Sequence, residues 1–282
     1  MVQDEVLAGL RQDLPMTAAS FIVTVYGDAV APRGEVLWMG SLIVVCDRVG
    51  IRENLVRTAV SRLVMADRLV GQRIGRRSFY RLAPAARTEF AEAARLLYAP
   101  RLRPSGWLIL AADSFPEEIQ RRYHLAPMGG DVWICPDWGD LPPKAQLLLR
   151  SCGNDPTLHP GLARFWDLEA LARRYDAIVA RFSPLAHLLR SGMHLAPADA
   201  LTARLLLVHA YRGALLRDPL LPPGILPEDW SGTEAKSLFR EIYQAISSSA
   251  QAGIAQAMED EDGPLPASTP ESDILLKGLA SP

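Results

Sequence analysis

Residues 52–82 read RENLVRTAVSRLVMADRLVGQRIGRRSFYRL. Val56, Ala59, Val60 and Leu63 recur at i, i+3, i+4 and i+7, which is one apolar stripe on an amphipathic helix over residues 52–66. Arg57, Thr58, Ser61 and Arg62 fall on the remaining surface. Two forked guanidinium groups can bind guanine edges or phosphates, and two short hydroxyls allow close approach to a groove, so this face suits a helix that reads duplex DNA. Two strand-like pieces follow, around 68–74 and 78–82, separated by Gly75 and the pair Arg76-Arg77. They predict a β-hairpin with a cationic tip, placed to reach phosphates or the minor groove. Arg52, Arg73, Ser78 and Tyr80 complete the candidate DNA-binding set.

Two apolar segments precede this stretch. Residues 17–30, TAASFIVTVYGDAV, begin with Thr17 as a helix N-cap, and residues 36–49, VLWMGSLIVVCDRV, give a second segment closed by Gly50. Both are expected as helices under the 52–66 helix. That third helix starts poorly, because Ile51 or Arg52 occupies the capping region instead of Ser, Thr, Asp or Asn. Three helices followed by a basic hairpin make a winged helix-turn-helix.

The formal net charge is −2 over 282 residues, yet the charge is segregated. From Arg48 to Arg103 there are thirteen arginines, no lysine and four acids (Glu53, Asp67, Glu89, Glu92), a local charge of +9. Such a block can also be a solvated helical face. The succession of packing stripe, Arg/Ser/Thr face and Arg-Arg hairpin favours DNA. The acids concentrate elsewhere, as in the tail from Glu259, where Glu-Asp-Glu-Asp is followed by Gly, Pro, Ser and Thr; residues 259–282 are expected to be disordered.

The length accommodates two or three domains, so a sensing or dimerising partner domain is expected beside the DNA-binding one. No apolar run approaches a membrane span and the N-terminus has no basic-then-apolar signal segment, which predicts a cytoplasmic protein with no membrane association. Cys46, Cys135 and Cys152 are far apart and odd in number, so buried free thiols are expected instead of a disulfide framework.

An enzyme would have to be built from His124, His159, His187, His194 and His209, none of which stands at a metal-ligand spacing. No GxSxG, P-loop or GxGxxG occurs, so neither an enzyme nor a cofactor is expected. The alternative is a metal-dependent nuclease or other hydrolase using Asp113, which follows a strand candidate at residues 106–112 but has no second carboxylate at a recognisable spacing.

Three stretches resemble the PaaX family: LVRTAVSRL with GRRSFYRL in residues 55–82, FWDLEALARRYDAIVARF in residues 165–182, and HAYRGALLRDPLLPPGILPEDWSG in residues 209–232. The resemblance implies a homodimeric repressor of the kind that controls phenylacetate catabolism, binding double-stranded operator DNA and released by a small-molecule effector such as phenylacetyl-coenzyme A or a related aryl- or acyl-coenzyme A thioester. It implies a mixed α and β, multidomain fold: a winged helix-turn-helix with connecting helix over residues 1–99, a ferredoxin-like α/β middle domain over 100–182, and a helical C-terminal domain over 183–258.

The residues agree in outline. A helix over 84–98 opens on Pro84, a linker over 101–104 follows, strands fit residues 106–112 and 131–135, and a short helix starts near Pro116 before a turn at Gly129-Gly130. Helices are expected over 142–150 and 165–182, with a loop at Cys152 to Pro156 between them. The middle region is shorter than the family usually has between its first two strands. In the 209–232 stretch, His209 and Arg212 can face an effector pocket, with the arginine holding an anionic group, or can be structural. The prolines and Trp230 read as a rigid turn and a buried anchor.

Overall fold

In the computed structural model, which describes residues 2–99, 104–142, 145–151 and 161–280, Thr17 closes the first turn of the DNA-binding candidate. It forms a capping box with Ser20: Thr17 Oγ1 accepts from the Ser20 N–H and Ser20 Oγ accepts from the Thr17 N–H, both at 3.1 Å. The chain is mixed α and β, with ten α-helices and two small antiparallel sheets among the described residues. It divides into two units, the first comprising Met1–Pro100, Ile178–Gly213 and Glu234–Pro282, the second Arg101–Ala177 and Ala214–Thr233.

In the first unit, α1 (Val2–Arg11) precedes α2 (Ala18–Val25), which runs into a π-helical turn over Tyr26–Val30. Then come β1 (Val36–Trp38), α3 (Met39–Asp47), α4 (Glu53–Met65), β2 (Leu69–Ile74), β3 (Arg77–Leu82) and α5 (Pro84–Tyr98). The sheet order is β1-β3-β2, with Leu37 opposite Tyr80 and Gln72 opposite Phe79. Leu37, Leu69 and Leu82 are buried on one face of this sheet, and α2 contributes the buried Phe21, Ile22 and Val25 to the core of the unit.

The 36–49 segment departs from the single expected helix. Its first three residues pair with β3, and the helix begins only at Met39, after the extended Trp38. An unbroken apolar run does not distinguish strand from helix, and here the open edge of β3 decides it.

Helices from the C-terminal half belong to the same unit: the part of α7 (Leu168–Arg190) from Ile178, α8 (Pro197–Leu215) up to Gly213, α9 (Ser231–Ala257) from Glu234, and α10 (Pro270–Ala280). Most of residues 183–258 thus cluster with the N-terminal segment instead of standing apart. The tail also differs from the expected disorder. Leu265 and Leu279 are buried, Arg33 donates to the carbonyls of Pro266 and Ala267 at 2.8 Å each, and Thr269 and Ser272 cap α10 reciprocally. A segment too polar to build its own core can still be ordered by a folded surface that takes its few apolar side chains and satisfies its backbone.

In the second unit, β4 (Trp107–Ala111), α6 (Glu117–Tyr123), β5 (Ala126–Gly129), β6 (Val132–Pro136) and β7 (Leu147–Arg150) give a sheet ordered β5-β6-β4-β7, each pair antiparallel. Leu108, Leu110, Phe115, Leu125 and Cys135 form its core. The helix expected over 142–150 is instead strand β7 from Leu147, where Leu147–Arg150 complete the free edge of β4. The Cys152 to Pro156 loop, Cys152 itself, His159 and linker residues 101–103 lie outside the described residues.

Candidate nucleic-acid interface

Helix α4 starts after Arg52, an extended N-cap whose side chain makes no capping hydrogen bond. Glu53 places a carboxylate at the positive end of the helix, and Asn54 Oδ1 accepts from the Leu55 N–H at 2.9 Å. These partly offset the missing cap. Val56, Ala59 and Val60 are buried, and α4 packs on α2 and α3 through this stripe.

The opposite surface holds the predicted residues. Arg52, Arg57, Thr58, Ser61 and Arg62 are all exposed. They are not equivalent, however. Arg57 is paired with Glu53 one turn earlier at 2.7 Å, and Thr58 Oγ1 donates to the Asn54 carbonyl at 2.8 Å. The side chains of Arg52, Ser61 and Arg62 make no ion pair or hydrogen bond among the described residues. An exposed i,i+4 pair is worth only a fraction of a kcal/mol, so Arg57 can be released to a phosphate at little cost.

The hairpin is tighter than its sequence suggests. Ile74 pairs with Arg77, leaving Gly75 and Arg76 as a two-residue turn; Gly75 takes φ +60° at the first central position, where a side chain would be strained. Arg76 and Arg73 are exposed, and Arg73 Nε donates to the Gly75 carbonyl at 3.2 Å. Ser78 and Tyr80 are half-buried, and the Tyr80 carbonyl accepts from the Tyr26 hydroxyl at 2.9 Å.

Arg77 is not at the tip. Its guanidinium lies 3.8 Å from the Trp38 ring centroid and is paired with Glu259. Arg81, further along the same strand, is paired with Glu261 at 3.2 Å. Strand alternation puts Arg77, Phe79 and Arg81 on one face of β3, and the tail crosses it, the Trp38 N–H donating to the Glu259 carbonyl at 2.8 Å. The acidic run thus straps the outer face of the hairpin.

The same unit holds a buried ionic junction. Asp28, in the π-helical turn, accepts from Arg204 Nε at 2.8 Å and Nη2 at 3.1 Å, and from the Tyr98 and Tyr243 hydroxyls at 2.8 Å each. Burial pulls the Arg204 guanidinium towards neutrality, but the Asp28 carboxylate bonded to it outweighs burial and holds the cation. Burial likewise drives the Tyr98 and Tyr243 phenols upward. The turn after α2 is therefore tied to α5, α8 and α9.

His209 belongs to this interior. Its Nε2 lies 3.2 Å from the Pro15 carbonyl, which can only accept, so that nitrogen carries the proton; Nδ1 lies 3.1 Å from Thr24 Oγ1. Burial holds the imidazole below its ordinary range, and the Arg212 charge adds to the effect while the Pro15 bond opposes it. Arg212 itself is half-buried on the same helix. In the second unit, Trp230 meets the Tyr175 ring edge-on at 5.8 Å, and Tyr175 donates to Asp218 Oδ2 at 2.7 Å. Asp113 accepts from Gln146 at 3.3 Å, and no group of three metal-ligating side chains occurs among the described residues. Cys46 and Cys135 are buried, and burial pushes each thiol up to about 12. No described helix is long and apolar enough to cross a membrane.

The PaaX-like protein family profile matches residues 17–86, and that of the PaaX-like protein C-terminal domain matches residues 166–256. The transcriptional repressor PaaX of Escherichia coli is 30% identical over 90% of this chain and 88% of its own length. The chain belongs to the PaaX family. The first matched region runs from the Thr17 cap to the start of α5 and contains α4 and the hairpin; the second spans α7, α8 and all but the last residue of α9. The chain also resembles the solved structure of an uncharacterized protein, Rv0674, from Mycobacterium tuberculosis, with a TM-score of 0.50 and 20% identity over 84% of this chain and 98% of that one; this likeness concerns the fold alone.

Two features of the site escaped the sequence reading. Asn54 shares the outer line of α4, one turn before Thr58, which its helical spacing could have revealed. The Glu259 strap had no local signal, since it joins residues 182 positions apart.

Proposed function

We propose that this chain is a sequence-specific transcriptional repressor whose first unit carries a winged helix-turn-helix, with α4 as the recognition helix and the β2–β3 hairpin as the wing. The observation that supports it most is the exposed polar face of α4, carrying Arg52, Arg57, Thr58, Ser61 and Arg62 opposite a buried apolar stripe, beside a hairpin whose turn holds Arg76. The middle segment fits a reduced ferredoxin-like domain: β4, α6 and β5 form a split β-α-β with β6 between the two strands, and β7 closes the other edge.

The protein acts in the cytoplasm as a homodimer that sets two copies of α4 in successive major grooves of an inverted-repeat operator. A small anionic effector of the acyl- or aryl-coenzyme A thioester class, with phenylacetyl-coenzyme A as the first to try, releases it by binding the DNA-free conformation better. Arg212, half-buried on α8, is the candidate holder of the effector's charge; His209, with both ring nitrogens engaged, serves to position that helix. A nuclease reading resting on Asp113 gains no support from the matched relative, which is a transcriptional repressor.

The test is a gel shift on the DNA upstream of the protein's own gene, repeated with a panel of acyl-coenzyme A thioesters. A shifted band abolished by one thioester is expected. No shift at physiological salt would overturn the DNA reading, and a band indifferent to every thioester would overturn the effector class.

A further inference from the structure

Asn54, Thr58, Ser61 and Met65 stand at i, i+4, i+7 and i+11 on α4, the line opposite Val56, Ala59 and Val60. Asn54 and Thr58 are exposed, as is Met65, at 77%. A helix docked by its outer face presents this line to whatever it binds. Recognition helices contact base edges mainly through their N-terminal residues, and Asn54 is the second residue of α4.

Of its neighbours, Arg52 precedes the helix and offers only donors, and two polar side chains on the helix are engaged within it. The Thr58 hydroxyl donates to the Asn54 carbonyl, so its proton is spent within the helix; Arg57 is held by Glu53; and Leu55 offers only apolar surface. Asn54 retains polar capacity. Oδ1 accepts from the Leu55 N–H, a donor shared with the Arg52 carbonyl at 3.0 Å, so one Oδ1 lone pair stays available, and Nδ2 donates to nothing among the described residues. The side chain therefore presents one donor and one acceptor side by side, with its Oδ1 biased toward its own backbone.

We propose that Asn54 is a specificity-determining residue that reads an A·T pair, Nδ2 donating to adenine N7 and Oδ1 accepting from the adenine N6 amino group. Only adenine shows an acceptor beside a donor at those positions in the major groove; guanine shows two acceptors, which suit an arginine such as Arg62. The proposal rests on the DNA-binding reading above and deepens it by naming one base of each half-site.

The experiment selects sequences from a randomised duplex pool with the full chain and with the Asn54→Ala and Asn54→Arg variants, each checked for folding by its thermal melt. The wild type should enrich adenine at one position per half-site by about tenfold or more, the size of a good bidentate contact. Asn54→Ala should lose that preference while keeping the rest of the consensus, and Asn54→Arg should move it to guanine at the same position. An identical consensus for wild type and Asn54→Ala overturns the proposal while leaving the DNA reading intact. A wild type that enriches no sequence overturns both.

Discussion

The arginines of α4 look interchangeable in sequence, and their surroundings separate them. Arg62 projects without a protein partner among the described residues, whereas Arg57 must leave Glu53 to reach DNA. Glu53 stays beside it and repels phosphate. Arg62→Ala should therefore cost about 1–3 kcal/mol of operator binding, and Arg57→Ala less, measured by fluorescence anisotropy on a selected site. The interior makes a pH prediction. Burial lowers the folded-state pKa of His209, and of His124 for the same leading reason. The unfolded chain, with histidine near 6.5, then takes up protons that the fold refuses. The stability held by these neutral rings is complete above about pH 6.5 and is lost as pH falls through the lowered folded values. Melting temperature should decline from about pH 7 to about pH 5, and His209→Gln should make the decline shallower; an unchanged slope would contradict the burial argument. Thr17, the α4 stripe and its polar face were readable from sequence because each is a local pattern with a local cause.

Elements were less legible where the deciding partner is remote. The 36–38 strand and β7 exist because β3 and β4 have edges to fill, and an apolar run of either length fits a helix equally well in isolation. The hairpin shows the same limit. Its two tip arginines are adjacent in sequence, yet only Arg76 sits in the turn, while Arg77 is drawn back over Trp38 to Glu259. Salt titrations of DNA affinity distinguish them. Arg76→Ala should lower the slope of log affinity against log salt by about one, the loss of one phosphate contact, and Arg77→Ala should leave it nearly unchanged. Equal reductions would mean that the Glu259 strap releases Arg77 when DNA binds.

At the scale of the molecule, Asp28 and Arg204 join segments 176 residues apart within one unit, and this explains why residues 183–258 do not form a cluster of their own. Composition could not announce such a pairing; only the fold places a buried carboxylate, a guanidinium and two phenols together. Arg204→Met should cost about 3–5 kcal/mol in denaturant unfolding, because Asp28 is left charged and buried without its counter-ion. A loss below about 1 kcal/mol would show that the junction is not a support of the first unit's fold.

The decisive measurement compares the affinity of the full chain for its selected operator with its affinity for a random duplex of the same length, at physiological salt, for wild type and Arg62→Ala. A wild-type preference of about a thousandfold or more is expected, falling in the variant mainly through weaker operator binding. Equal affinity of the wild type for the two duplexes, or a preference untouched by Arg62→Ala in a folded variant, would contradict the assignment of α4 as the helix that reads DNA.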